Sequence, residues 1–541
     1  TTNIGNNQKI TKKLILNRYS LLILAAAFLV FGSCQDNFTD RPSEDGISLD
    51  SYYSTNDQVS SATNGMYSRT WFQMYNKFWW AIEVGSGNMY SGSPDVSGLR
   101  TFSLNGSDPE LVNGWSALWA NVQQSNMIIN FLASRVGSDV DKKVLDNTIG
   151  EAYFLRATAY FDLVRLWGPV PIIENPLEYT SNPYINTNLE ADIYKFIVKD
   201  YLKAIDLLVE KNRGANYANN GHVSKGSAKA MLAKVYLYQK DYANAKAMAE
   251  QVINSGEFKL LGGDQLPAKS FGDLFTYGNN NNEESIFAIQ WKGDGNYGSG
   301  NNCNTQFGFN DGTISTSNAS YAGVFGPGQE IFTLYSVGDK RKQETIMVPG
   351  AIYPNIKTNK AIGFTVPADK DLAQGSGGAI KKYCLGAVNG SATGPADAWA
   401  MMDNNTYKMR YAELLLIHAE AVLAGAASTS NSAALNSINA VRKRAGLSDL
   451  TAITFDDVFL ERRKELCFEG DYWFDLGRID KTKAIAIMSA QNRGDKYGAR
   501  YYTPVYSSTD HAANDFFIDY PDNEVAKNPK LLDAPVPYTF K

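Results

Sequence analysis

The sequence predicts a mainly α protein: a tetratricopeptide-like scaffold of helical hairpins, interrupted by long irregular loops and a few short strands. Three observations predict it. First, Leu145, Ile149, Tyr153, Ala157, Tyr160, Val164 and Trp167 recur at three- and four-residue steps, so residues 144–167 form a helix with one apolar face. Second, residues 226–254 have the pattern of a tight helix-turn-helix. Ala233 and Ala245 are small enough for two helices to approach closely, and Tyr236 fills the space beside them. Third, a related pair follows at 411–423 and 433–444, with a longer link.

At the N-terminus, Lys9, Lys12, Lys13 and Arg18 form a basic region, and Leu21 to Phe31 is an uninterrupted apolar run. The run fits a signal peptide and is short of the roughly 18 residues a membrane-spanning helix requires. It ends at Gly32-Ser33-Cys34, which is similar to a bacterial lipobox. The expectation is therefore a lipoprotein signal peptide over 1–33 and acylation, palmitate included, of Cys34. Residues 34–54 are polar and form a lipidated tether. No second run of this kind follows, so the body is expected to be tethered to membrane lipid through its acyl anchor.

Helical patterns begin near Thr55. After the 144–167 helix, Gly168-Pro169 is a stop signal. A partner helix over 190–208 carries Ile193, Ile197, Tyr201, Ala204 and Leu208. The hairpins are expected to stack into a right-handed scaffold. Residues 284–291 look like a short buried strand, and 293–328 are rich in Gly, Asn and Ser. A similar stretch, 85–106, interrupts the first helical region. Long loops of this kind usually carry function.

The 541-residue chain has a net charge of −5. That balance argues against nucleic acid, which needs a basic face. Cys303, Cys384 and Cys467 have no CxxC spacing, so no metal site is expected; Cys303 and Cys384 could pair. Only three histidines occur, and His418 lies within an apolar helix. Neither HExxH nor GxSxG is present. Gly293, Gly295 and Gly298 form a GxGxxG, but it runs into Gly-Ser-Gly-Asn-Asn and not a helix, so no nucleotide cofactor is expected. Nothing singles out a catalytic residue. A hydrolase pair of carboxylates is not distinguishable among 56 acidic residues.

A site for a polar ligand with apolar faces needs an aromatic plane flanked by side chains that donate and accept hydrogen bonds. Two loop regions offer both. One holds Asn88, Tyr90, Asp95 and Arg100. The other holds Trp291, Asn296, Tyr297 and Asn302, with Tyr321 further along.

Several blocks in order resemble the SusD/RagB family of outer-membrane nutrient-binding lipoproteins. They are Leu49-Asp50-Ser51-Tyr52-Tyr53, Trp115 through Trp119, Glu151 through Ala157 with Trp167-Gly168-Pro169, and Arg410 through Leu416. Arg442-Lys443-Arg444-Ala445-Gly446-Leu447, Glu461-Arg462-Arg463-Lys464-Glu465-Leu466, Phe468-Glu469-Gly470 and Trp473 through Arg478 complete the series. The residues have their own physical reading. Glu461, Arg462, Arg463 and Glu465 are spaced for ion pairs along one helix. Arg156, Arg410 and Arg478 are expected to pair buried carboxylates within the scaffold. The tail departs from the family pattern, reading Asn528-Pro529-Lys530-Leu531 and then Asp533-Ala534-Pro535-Val536-Pro537.

The resemblance implies one SusD-like domain over 55–541, with an N-terminal part of about 55–256 and a C-terminal part of about 270–541. It implies a surface-exposed protein, lipid-anchored in the cell outer membrane, and not an enzyme. Such a protein holds an oligosaccharide, or in some members a peptide, against a SusC-like TonB-dependent transporter, and needs no cofactor. A surface glycoside hydrolase is the competing class.

Overall fold

A computed structural model describes residues 52–210, 220–276, 278–294, 298–308, 323–357, 362–367, 376–385, 402–492 and 516–540. The expected helices are present. The principal helices are α1 (Trp79–Ser86), α2 (Pro109–Phe131), α3 (Lys142–Trp167), α4 (Glu190–Leu207), α5 (Lys225–Tyr238), α6 (Tyr242–Ser255), α7 (Tyr411–Leu423), α8 (Ser432–Arg444), α9 (Phe455–Glu465) and α10 (Tyr472–Arg478), of which α1 and α10 were not expected. From α2 to α8 each helix packs on the next, and α7 also packs on α9. The pairs α3–α4, α5–α6 and α7–α8 are the three hairpins read from the sequence.

Local chemistry fixes the helix ends. Asp141 caps α3 by accepting from the Lys143 N–H. Gly168, at φ +69°, ends that helix ahead of Pro169. Ser224 and Ser227 form a reciprocal capping box at the start of α5. Ala233 and Ala245 are fully buried between α5 and α6, as their size required. His418 is buried and hydrogen-bonds Ser437 across the α7–α8 contact at 2.7 Å.

The strands form four two-stranded antiparallel ribbons among the described residues. These pair β1 (Met89–Tyr90) with β3 (Gly326–Pro327), β2 (Ser285–Ile289) with β8 (Thr406–Arg410), β4 (Ile346–Met347) with β7 (Ala379–Ile380), and β5 (Ile352–Lys357) with β6 (Ile362–Thr365). The β2–β8 ribbon is buried on both faces, which is why Ile286-Phe287-Ala288-Ile289 is an unbroken apolar run. Met347, Tyr353, Ile356, Phe364, Val366, Ala379 and Cys384 pack as a small second core beside the main one. Cys303, Cys384 and Cys467 are buried thiols, and no disulfide joins Cys303 to Cys384.

The charged motif blocks converge on buried ion-pair networks. Arg410 pairs with Glu284 at 2.6 Å, Glu469 at 2.7 Å and Glu465 at 3.0 Å. Glu465 also takes Arg444, and Arg341 at 3.2 Å. A second network joins Arg462 to Asp475 and Glu413, Lys234 to Glu413 and Asp471, and Arg478 to Glu420 and Asp475. Arg156 grips Asp200 bidentately at 2.7 and 2.8 Å. The three arginines singled out in the sequence are thus scaffold residues. The pairs expected along α9 are a correction: Glu461, Arg462, Arg463 and Glu465 each reach across to other elements. Three of them are buried and face neighbours instead of solvent, so the partners come from the packing and not from the i+4 spacing.

Candidate functional site

The segment before α1 is dense in aromatics: Trp71, Phe72, Tyr75, Phe78, Trp79 and Trp80. All are buried, which turns the intervening polar residues outward. Residues Met74–Phe78 make a π-helical turn, where the Trp79 N–H reaches back to the Met74 carbonyl. Such turns widen a helix locally and recur at functional sites. Gln73, Asn76 and Lys77 are part-exposed on one side of it.

Both loop regions picked from the sequence meet at this turn. Asn302 donates from Nδ2 to Asn76 Oδ1 at 2.9 Å, and Gln306 donates to the Asn76 carbonyl at 2.6 Å. From the other side, Lys77 pairs with Asp95 at 2.5 Å and lies 3.7 Å from Glu110. Burial raises the Glu110 pKa, with Asn113 and Lys77 opposing. The result is a polar shelf of amides and paired charges on a rigid aromatic base.

The candidate residues have different positions within it. Asp95 is exposed, with 52% of its side-chain surface free, and belongs to the shelf. Asn302 belongs to it too, at its buried edge. Arg100 is half-buried and ties the loop by donating to the Ser91 carbonyl at 2.6 Å. Asn88 is buried; its Oδ1 accepts from Arg463 Nε at 3.0 Å. Tyr90 is 4% exposed because β1 pairs with β3, so its ring is core and not a stacking plane. Trp291 is 8% exposed; its indole donates to Thr406 Oγ1 at 2.9 Å and meets Phe72 edge-on. Asn296, Tyr297, Tyr321 and Cys34 lie outside the described residues. The 85–106 stretch, expected as irregular loop, contains the end of α1, β1 and the short helix Ser97–Thr101.

Sequence reasoning missed Gln73, Asn76 and Lys77. Their one signal was polar residues at i, i+3 and i+4 inside an aromatic run. No group of three or more His, Cys, Asp or Glu side chains able to hold a metal ion occurs among the described residues. No helix among them is long and apolar enough to cross a membrane.

Two family models match the chain. One, described as the SusD family, covers residues 283–536, and the other, described as starch-binding associating with outer membrane, covers 40–237. A SusD-like protein of Bacteroides ovatus is 30% identical over 97% of this chain and 99% of its own length. A crystal structure determined with xylogluco-oligosaccharide is 28% identical, with a TM-score of 0.76 over 89% of this chain and 99% of that one. A SusD-like protein of Bacteroides fragilis shares the fold at 22% identity, with a TM-score of 0.71 over 91% of this chain and 100% of that one. With near-complete coverage of a 30%-identical relative and both halves matched by family models, this chain belongs to the SusD family.

Proposed function

We propose that this protein captures oligosaccharide at the outer membrane and hands it to a SusC-like TonB-dependent transporter, acting as a binding protein and not an enzyme. The observation that carries the reading is the convergence of two remote segments on the π-helical turn. It gathers hydrogen-bonding groups on one rigid shelf in a chain whose 28%-identical relative was crystallised with xylogluco-oligosaccharide. Amides both donate and accept, which suits the hydroxyl rim of a sugar. The uptake energy is supplied by the transporter's TonB system. Tyr297 and Tyr321 remain the proposed stacking residues.

The test is calorimetry of the full chain with a xyloglucan oligosaccharide. Gln73→Ala combined with Asp95→Ala is expected to weaken binding at least about tenfold, equivalent to about 1.4 kcal/mol. The thermal midpoint should hold, because neither side chain belongs to the core. Unchanged affinity in that variant would place the site elsewhere.

The anchor reading rests on residues 9–34: signal peptide to Ser33, lipid on Cys34, and a polar tether to 54. Cys34→Ala is expected to release the protein from the outer-membrane fraction of cells lacking the transporter. Retention there would refute the anchor.

A further inference from the structure

Away from the shelf, a two-lobed cleft runs between the main core and the small second core. One lobe holds about 520 Å³ and the other about 570 Å³, and both are lined by Ser270, Gly272, Gln343, Glu344 and Tyr353. The 3₁₀ turn Phe271–Phe275 gives one wall and β5 the other. Junctions between packed units are common places for ligand sites. Gly272 lets the two walls share a divide: a Cβ there would lie 2.7 Å from Glu344 Cδ.

The two lobes differ in chemistry. The first has an apolar floor of Phe271, Ile346, Val348, Ala351 and Tyr353. Lys340 and Lys342 rim it. The Lys342 ammonium donates to the Phe332 carbonyl at 2.9 Å, and neither lysine has a carboxylate partner among the described residues. Arg444 lines the same lobe. Its two terminal nitrogens are taken by Glu284 and Glu465, but its buried Nε lacks an acceptor. The acids of this lobe are already answered: Asp339 is held by Arg341 at 2.8 and 2.9 Å, and Glu344 lies 3.9 Å from Lys381. The unbalanced charge here is therefore positive. The second lobe presents Thr276, Gln343 and Asn355, exposed hydroxyl and amide groups.

We infer that this cleft is a second saccharide site and takes an acidic oligosaccharide. Uncharged rings occupy the lobe of Thr276, Gln343 and Asn355, and a ring bearing a carboxylate or sulfate sits on the apolar floor facing Lys340 and Lys342. A sugar ring has an apolar C–H face for Phe271 and Tyr353 to cover and hydroxyls for the amides. An anion on that ring gains charge-assisted hydrogen bonds from the lysines. Two lobes in series exceed the size of one monosaccharide, so a chain is the fitting ligand. The inference rests on the glycan-binding reading but shares no residue with the shelf.

The experiment is calorimetry of the full chain with three oligosaccharides of matched length: a uronic-acid chain, a sulfated chain and neutral xyloglucan. At least one acidic chain is expected to bind, with affinity falling as salt rises. Lys340→Ala with Lys342→Ala should weaken that binding at least about tenfold and leave the neutral ligand unaffected. The exposed single change Lys340→Glu should weaken it in the same direction, and covers the case in which the double variant fails to fold. The shelf variant should keep its acidic ligand. Whichever acidic chain loses affinity in the lysine variants identifies the anion. Neutral binding without acidic binding, or acidic binding indifferent to both lysine variants, overturns the second site alone. Failure of all three chains to bind removes the glycan reading itself, and this site with it.

Discussion

Glu465→Ala is expected to cost about 3 to 5 kcal/mol of folding stability, or to abolish folding, because it leaves buried guanidinium groups uncompensated. Around it, Glu284, Glu461, Glu465, Glu469 and Asp339 face Arg341, Lys382, Arg410, Arg442 and Arg444, so the charges balance. Removing one carboxylate leaves an excess positive charge where Arg341, Arg410 and Arg444 have side chains with no exposed surface. Burial alone would raise the Glu465 pKa, but Arg444, Arg410, Arg341 and Lys382 override it and hold the carboxyl well below the usual range. The same opposition brings Asp471 down to about 2, through Lys234, Arg462 and Arg165. The sign follows from linkage. Both groups have lower pKa values folded than unfolded, so their stabilisation is full above about pH 4.5 and is lost as pH falls toward 2. Denaturant titrations at pH 7 and pH 3 would show it: a wild-type protein that weakens on acidification, and a variant already weak at pH 7 whose further loss is smaller. The exposed pair Lys443–Asp264 is the control, since Lys443→Ala should change nothing measurable. A Glu465→Ala protein as stable as wild type would mean that the network does not hold the motif blocks together.

The helices were legible because their signal is local. The apolar steps of 144–167 recur within one element, and the structure extends that helix by only two residues to Lys142. The capping and stop residues are likewise neighbours of what they terminate. The ribbons were less legible, because each strand's partner is remote in sequence. Met89-Tyr90 sits among Gly, Ser and Asn and has the composition of a loop; only its pairing with Gly326-Pro327 makes it core. The charged block 461–465 shows the same limit. Its ion pairs were foreseeable, but the spacing pointed along α9, whereas the partners lie at 330, 341, 410, 413, 442, 444 and 475, brought in by packing. At the site, composition located two segments that the fold does bring to one turn. It could not separate Trp291, whose indole is spent on Thr406, from an aromatic available to ligand. It also passed over Asn76, because a polar residue inside an aromatic helical run resembles an ordinary solvent face until its partners are known.

The glycine of the Phe468-Glu469-Gly470 block has a function that sequence alone does not explain, and Gly470→Ala is expected to lower stability by about 3 kcal/mol or more. Gly470 has φ +94°, where a side chain is strained by roughly 1 to 2 kcal/mol. A Cβ there would also lie 1.8 Å from Trp79 Nε1 and 2.2 Å from Trp79 Cε2. The indole cannot move aside freely. It donates to the Glu469 carbonyl at 3.1 Å, packs on Phe474 and carries the Lys408 ammonium 3.9 Å above its ring. Overpacking of this kind typically costs about 1 to 3 kcal/mol in addition to the strain. The Gly470 N–H also donates to Glu83 Oε1 at 2.7 Å, and burial pushes the Glu83 carboxyl up to about 7, so any displacement leaves that buried acid with fewer donors. Trp79 follows directly on the π-helical turn that presents Asn76 and Lys77. The substitution should therefore weaken glycan binding as well as folding, although Gly470 is remote from the shelf in sequence. Gly256→Ala separates the two contributions: its φ is +69°, but a Cβ there meets nothing within 4 Å, so only the backbone strain is incurred. Thermal melts of the two variants should differ by the packing part alone. Equal losses would mean that the Trp79 contact contributes nothing, and that the shelf does not depend on this glycine.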